Sequence, residues 1–468
     1  MLDDPLEKWI EDIGYGCFQV RLLAFCGVGY FAVCAEMLVT VFIEQPVMTS
    51  FNLSASSFAL LPFCVNAASF VSCFYLAYLS DTVGRKWLFA AGIVVVAVFG
   101  LASACSPSWL CLILFRCAVG VGNGCLSVVD YVVFVECTPG SHRGKYSMVV
   151  FVSGCLGVLY IAGLHNWMLP VFGSMHPGSW RILLIFASLP MVFTFWLRIL
   201  FSLETPRYLA SQRRYAEAHS VLLQMAHFNR RDLQTMPSCE EFVEQMESMS
   251  EVMPQESTSC FEELLNLKSY SLTFPLMIIW FLQSTTYWGF TLFLPVFLTS
   301  CSVPSGLTIF CMVAAELPGG VAAAFLMDKL GRFSTLRLFM ALALVFAIVT
   351  TIASASQHTT TSSKIFLMVG SIGIYMFLIP IWSVLFMLTP EAYPASIRAR
   401  ASGLFQTVQG IPGLFTPFLS ALLASQSNPW YYMLLWSVVL VTNLAVAVVL
   451  LPRKTWNGSR IIGISLTE

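Results

Sequence analysis

Apolar stretches of about twenty residues, broken by short polar or Gly/Pro turns, recur along the chain from Val20 to Leu451. About twenty apolar residues is the length a helix needs to cross the hydrocarbon core of a bilayer. The first six stretches run Val20 to Ile43, Phe58 to Leu79, Trp87 to Ala104, Trp109 to Val135, Tyr146 to His165 and Arg181 to Phe201. The second six run Leu272 to Leu298, Leu307 to Met327, Leu336 to Ser354, Ile365 to Leu388, Ala401 to Ala424 and Trp430 to Leu451. The pattern predicts an all-α polytopic membrane protein with about twelve transmembrane helices in two six-helix halves. It divides the chain into residues 1–201, a polar central segment 202–271, residues 272–452 and a tail 453–468.

The central segment has its own pattern. Thr205 suits a helix cap and Pro206 the first helical position, and Tyr208, Tyr215, Leu222 and Met225 recur near helical period while Arg213, Arg214 and Glu217 face water. A helix lying along the membrane surface is expected there. From Asp232 to Glu263 come nine acidic residues and no basic one, with Pro237 and Pro254 as breakers, which reads as a solvated linker.

Composition agrees with the apolar pattern. Only 10% of the 468 residues are charged, against roughly 25% in soluble domains, which argues against a water-soluble enzyme. A net charge of -1 leaves no basic surface for nucleic acid. The fifteen cysteines show no C-x-x-C or C-x-x-H spacing and mostly sit in apolar stretches, so neither a metal site nor a disulfide framework is expected. No cofactor motif is present: the Gly120, Gly122, Gly124 run lies inside an apolar span with no preceding strand. The acidic start, Met1 to Ile13, lacks the features of a secretory signal, so the first span is expected to be retained. If the N-terminus is cytosolic, 21 of 24 Lys and Arg residues fall on the cytosolic side, against Arg116, Arg181 and Lys364. The positive-inside rule therefore predicts cytosolic termini. Asn52-Leu53-Ser54 then forms a glycosylation sequon on the outer side.

The two halves repeat a charged motif. Asp81-Thr82-Val83-Gly84-Arg85 follows the second span, and Asp328-Lys329-Leu330-Gly331-Arg332 follows the eighth. Glu136-x-x-Pro139-x-x-x-Arg143 ends the fourth span and Glu391-x-x-Pro394-x-x-x-Arg398 the tenth, both pairs offset by 255 residues (391 − 136 and 398 − 143). Gly permits a tight turn, and the flanking acids and bases have the chemistry to latch one face of the bundle shut. Parallel repeats of six spans enclosing a path are an architecture of secondary transport.

Charges inside the membrane are costly, at roughly 2.5 to 3.5 kcal/mol each on insertion scales, and so point to function or to pairing. Glu36 lies ~22 Å beyond Arg21 along a helix, Asp130 ~9 Å before Glu136, and Glu316 ~18 Å before Asp328. These three are candidates for a substrate or proton pathway, with an interhelix pair to Arg116 or a cap at a broken helix as the structural alternatives. Arg116 with Gly120, Gly122 and Gly124 points to close helix packing or coupling. Gln283, Tyr287, Trp288, Tyr375, Trp382, Gln406 and Gln409 are further candidates, because binding pockets combine aromatic walls with a few polar groups.

These motifs resemble the major facilitator superfamily over essentially the whole chain, and within it the sugar-porter-related branch that contains synaptic-vesicle-glycoprotein-like and niacin or organic-ion transporters. The resemblance is carried by the paired motifs and by Gly14-Tyr15-Gly16-Cys17-Phe18-Gln19, Ala35-Glu36-Met37, Val129-Asp130, Glu204-Thr205-Pro206-Arg207-Tyr208-Leu209, Ala315-Glu316-Leu317-Pro318-Gly319 and Thr389-Pro390-Glu391-Ala392-Tyr393-Pro394. Cys17, Val33, Ala77, Thr82 and Leu203 depart from the pattern of that branch. The resemblance implies a small organic ion or polar metabolite as substrate, and the paired six-span repeats predict a secondary transporter working by alternating access as one chain, with proton coupling left open. The acidic residues tilt this reading toward an organic cation, with a proton-coupled carboxylate as the other solute. A transporter fold that binds protein partners through its central segment is the alternative from another class.

Overall fold

The computed structural model describes residues 5–83, 85–172, 178–201, 204–231, 238–252, 267–292, 294, 297–298, 301, 303, 305–355, 361–393, 398–424 and 430–451. Every regular element among them is helical. The first half comprises α1 (Pro5–Ile13), α2 (Cys17–Phe42), two short helices α3 (Glu44–Phe51) and α4 (Ala55–Phe58), then α5 (Leu60–Val83), α6 (Arg85–Ala104), α7 (Trp109–Glu136), α8 (Gly140–Phe172) and α9 (Ser179–Phe201). Three helices follow: α10 (Pro206–Ser211), α11 (Tyr215–Phe228) and α12 (Cys239–Val252). The second half comprises α13 (Leu267–Leu292), α14 (Ser305–Leu330), α15 (Arg332–Ala355), α16 (Thr361–Ala392), α17 (Arg398–Gly410), α18 (Pro412–Ala424) and α19 (Trp430–Val449).

Among the described residues, ten helices are long and apolar enough to cross a membrane. The seventh predicted span is α13, and the eleventh is the α17 and α18 pair, which meet at Ile411. Pro412 has no N–H to continue the ladder of α17, so it starts a new helix instead. Six spans in each half return the chain to the face it started from. The start of α2, helices α10 to α12 and the end of α19 therefore share one face of the bundle, called here the terminal face.

Small residues set the helix spacing. A Cβ at Gly120 of α7 would collide with the Val65 carbonyl of α5, and one at Gly124 with Ser72 of the same helix. At Gly122 it would lie 2.5 Å from Val96 of α6. The three glycines thus let α7 nest between α5 and α6. Large apolar side chains such as Leu114, Phe193, Trp196, Ile352 and Val438 point away from the protein, an arrangement suited to lipid rather than water.

On the terminal face, Leu6 and Ile10 of α1 pack with Leu209 of α10, Leu222 and Met225 of α11 and Phe242 of α12. The Thr205 hydroxyl accepts from the Tyr208 N–H at 3.3 Å and caps α10. The structure differs from the sequence pattern at two places here. The surface helix is interrupted at residues 212–214, where Arg213 takes a left-handed φ of 58°, leaving α10 and α11 as separate helices. Part of the acidic linker is helical: Phe242, Val243 and Met246 turn one side of α12 inward, with Phe242 5.4 Å from the His219 ring, while Glu240, Glu241, Glu244 and Glu247 stay exposed. A few apolar anchors at helical spacing outweigh the repulsion of acids that water still screens.

A candidate binding cavity between the halves

A cavity of about 230 Å³ lies between the two sets of spans. The first half contributes Tyr30, Cys34 and Met37 of α2, Asn66 and Phe70 of α5, and Phe151 and Cys155 of α8. The second contributes Ser284, Tyr287 and Trp288 of α13, Glu316 of α14, Trp382 and Phe386 of α16, and Gln406 and Gln409 of α17. Their spacings explain the placement. Tyr30, Cys34 and Met37 recur at i, i+4 and i+7, Ser284, Tyr287 and Trp288 at i, i+3 and i+4, and Gln406 and Gln409 at i and i+3, so each set shares one helix face.

The lining is mainly apolar, rich in aromatic rings and thiols, with three side-chain amides and one carboxylate; no Lys, Arg or His is among the lining residues described. Glu316 is almost fully buried, and the Cys155 thiol is within hydrogen-bond reach of it. Gly319, one turn along, lets α14 pack directly on the Met376 carbonyl of α16. A second, smaller cavity of about 20 Å³ lies further toward the face opposite the termini, among Phe42, Thr291, Leu294 and Ile309. It shares Leu38, Val158 and Glu316 with the first.

Contacts between the halves close the cavity toward that opposite face. The Phe63 and Phe418 rings lie 5.2 Å apart. The Asn66 amide donates to the Gly413 carbonyl at 3.0 Å, next to the break between α17 and α18, and Gly410 there leaves room for the Phe70 ring. On the other side of the cavity, Phe151 of α8 meets Phe386 of α16 at 4.8 Å.

Glu36 lies away from this space. Its carboxylate accepts from Arg116 Nη1 at 2.6 Å and from the Ser188 hydroxyl at 2.5 Å, and its carbonyl accepts from Arg116 Nη2 at 2.5 Å. Neither charged side chain has any exposed surface (0%). Gly100 of α6 leaves the space for this group, since a Cβ there would lie 2.7 Å from Glu36 Oε1. Helices α2, α6, α7 and α9 therefore converge on one buried ion pair. Just past α2, Glu44 is buried with no hydrogen-bond partner, and burial pushes its carboxyl well above the usual carboxylate range.

At the terminal face, Glu204 Oε2 accepts from the Lys86 backbone N–H at 3.2 Å, and the Thr205 hydroxyl donates to Glu136 Oε2 at 2.7 Å. A carboxylate thus sits at the start of α6, where the helix dipole favours negative charge. Gly331, between α14 and α15, has a φ of +81°, and Arg332 Nη1 donates to the Met327 carbonyl at 3.1 Å. Gly84 and the side chains of Asp81, Arg85, Asp130, Arg143, Asp328, Glu391 and Arg398 lie outside the described residues.

The sequence model of the family described as "Sugar (and other) transporter" matches residues 26–455. The chain belongs to this family of the major facilitator superfamily. The transporter is 27% identical to "Organic cation/carnitine transporter 7" of Arabidopsis thaliana, over 96% of its own length and 94% of that protein. It is 24% identical to the "Niacin transporter NiaP" of Acinetobacter baylyi, over 95% of its length and 96% of the other. Among solved structures it superposes on the xylose transporter XylE from E. coli with a TM-score of 0.74 at 17% identity, covering 93% of this chain and 98% of that one. The superposition shows the fold.

Of the residues singled out in the transporter's sequence, Glu316, Tyr287, Trp288, Trp382, Gln406 and Gln409 come together at the main cavity. Gln283 does not. It is buried within the second half, donating to the Leu378 carbonyl and accepting from Asn443, both at 3.1 Å. The Tyr375 hydroxyl donates to Thr291 at 3.0 Å, and its ring lines the smaller cavity. Tyr30, Cys34, Asn66, Cys155 and Ser284 were not singled out. For Asn66 a signal existed, a single amide inside an apolar span; for the thiols none did, because buried Cys is ordinary core material.

Proposed function

We propose that this protein is a secondary transporter that moves a small organic ion or polar metabolite across a membrane by alternating access. The observation that carries this reading is a cavity walled by both sets of spans, so that rocking one half against the other exposes its contents to one face and then the other. The volume is below the ~300–1,000 Å³ of drug-sized pockets, which suits a metabolite-sized solute, and the organic cation/carnitine and niacin transporters to which the chain is similar carry such ions by name. Glu316, Tyr287, Trp288, Trp382, Gln406 and Gln409 contact the solute. The paired Asp-Gly-Arg and Glu-Arg motifs, with Glu204 and Thr205, latch the terminal face, which lies in the cytosol. The Glu36 and Arg116 pair fixes the geometry of the first half. The functional unit is one chain.

Uptake of a panel of labelled cations, anions and neutral metabolites into proteoliposomes tests this reading. Saturable uptake of at least one solute, cut at least tenfold by the double substitution Trp288→Ala and Trp382→Ala in protein that still elutes as a folded monomer, is expected. Absence of flux across the panel overturns it. Residues 232–263, replaced singly by cysteine, should react with an impermeant reagent only from the cytosolic side; outside labelling reverses the orientation.

A further inference from the structure

Glu316 is the single carboxylate on the cavity wall among the described lining residues, and no basic side chain accompanies it there. Among the described residues, the titratable groups that face it are the thiols of Cys34 on α2 and Cys155 on α8 and the phenols of Tyr287 on α13 and Tyr375 on α16. None of these supplies a positive charge. Helix α15, also packed on α14, keeps Arg332 and Arg337 on backbone carbonyls at its terminal-face end. Arg116, inside the first half, is already committed to Glu36, and the His165 ring of α8 lies against Phe42 beyond the smaller cavity.

A carboxylate inside a low-dielectric bundle is balanced by a proton or by a cation. The described residues around Glu316 offer no cation, so the balancing charge comes from solution. The walls around the carboxylate are built to hold an organic one: Tyr287 and Trp288 meet edge to face at 5.5 Å and Tyr287 and Trp382 at 6.3 Å, and aromatic faces attract alkylammonium groups. Glu316 also borders both the main cavity and the smaller one toward the opposite face, a position from which either side of the membrane is reached as the halves rock.

We propose that the substrate is an organic monocation and that it is exchanged one for one against a proton on Glu316, without net movement of charge. This rests on the transporter reading above. The cycle balances at one atom. On one side the cation enters, the Glu316 O–H bond breaks, its proton leaves to water, and the carboxylate holds the cation. On the other side a proton from water re-forms the O–H bond and the cation departs. A single carboxylate cannot hold both, and this competition makes the process an exchange and excludes carriage of both in one direction.

The test uses full-length protein with labelled tetraethylammonium as the cation probe, nicotinate as an anion and glucose as a neutral solute. Vesicles acid inside should accumulate tetraethylammonium, about tenfold per pH unit for a one-for-one exchange, with no effect of a valinomycin potential. In detergent, probe binding should release close to one proton per chain into weakly buffered solution. Glu316→Gln should lose both signals and Glu316→Asp should keep them. Because the detergent measurement is made on wild type, a misfolded variant does not rescue the idea. Cation uptake driven by acid outside, or binding without proton release, overturns the exchange. Uptake of nicotinate or glucose in its place overturns it too while leaving the transporter reading intact. No movement of any of the three, with no probe binding, removes both.

Discussion

Glu36 and Arg116 show how an acid inside a membrane span is accommodated when it has a partner. The pair is fully desolvated and carries Ser188 as a further donor, so removing one member strands the other. Glu36→Gln should cost about 3–5 kcal/mol of stability, the usual penalty for breaking a buried pair, seen as a fall in thermal midpoint in detergent. Replacing both residues by apolar ones of similar volume should cost much less. If the single and double variants melt alike at the wild-type temperature, the pair has no supporting role. Glu44 is the opposite case. Its folded carboxyl titrates well above the unfolded value of about 4.5, so folding favours its protonated form. Its contribution is fully present below about pH 4.5 and is lost as pH rises through the folded value. Glu44→Gln should therefore stabilise the protein at neutral pH and flatten that part of the stability profile; an unchanged pH profile of the melting temperature would contradict this.

The helices show what apolar patterning does and does not determine. Span length and order were legible because a bilayer fixes both, and each of the twelve stretches coincides with a helix or, at the eleventh, with two. The split of that span was written in Gly410-Ile411-Pro412-Gly413, but the overall apolar run of the span masked it. Which face of each helix meets the cavity was less legible, because a chain apolar on every side gives little amphipathic signal. Gln283 illustrates this: it is polar and central, yet it turns into the second half, where it donates to the Leu378 carbonyl and accepts from Asn443. Glu316 was legible as an intramembrane acid, whereas Tyr30 and Cys34 were indistinguishable from packing residues. At two junctions the element carries a prediction of its own. Gly331→Ala, which places a Cβ at a φ of +81°, should destabilise by about 1–2 kcal/mol, read from the same melting curves; no loss would mean that the turn relaxes freely. Asn66→Leu removes the tie from α5 to the break between α17 and α18. A buried hydrogen bond of about 0.5–1.5 kcal/mol corresponds to a roughly two- to tenfold shift toward states open at the opposite face, measurable as faster alkylation of Cys34 from that side.

For the molecule as a whole, the two halves and the cavity between them form the unit on which the proposed alternating access rests. The first half is braced internally by the Glu36 and Arg116 pair and by the glycines of α7, and the second by Gln283 with Asn443. The contacts across the seam include ring on ring at Phe63 and Phe418, one amide at Asn66, Phe151 on Phe386, and the packing of α8 on α14 at Cys155 and Glu316. Strong bracing within halves and separable contacts between them are what rigid-body rocking requires. The most direct test is a pair of distance measurements by electron spin resonance, with labels carried on non-cysteine side chains. One pair, at Lys86 and Lys329, spans the terminal face; the other, at Leu60 and Leu422, spans the opposite face. As tetraethylammonium and pH are varied, the account predicts that one distance lengthens while the other shortens, in matching populations. Two distances that stay fixed, or that lengthen and shorten together, would contradict it.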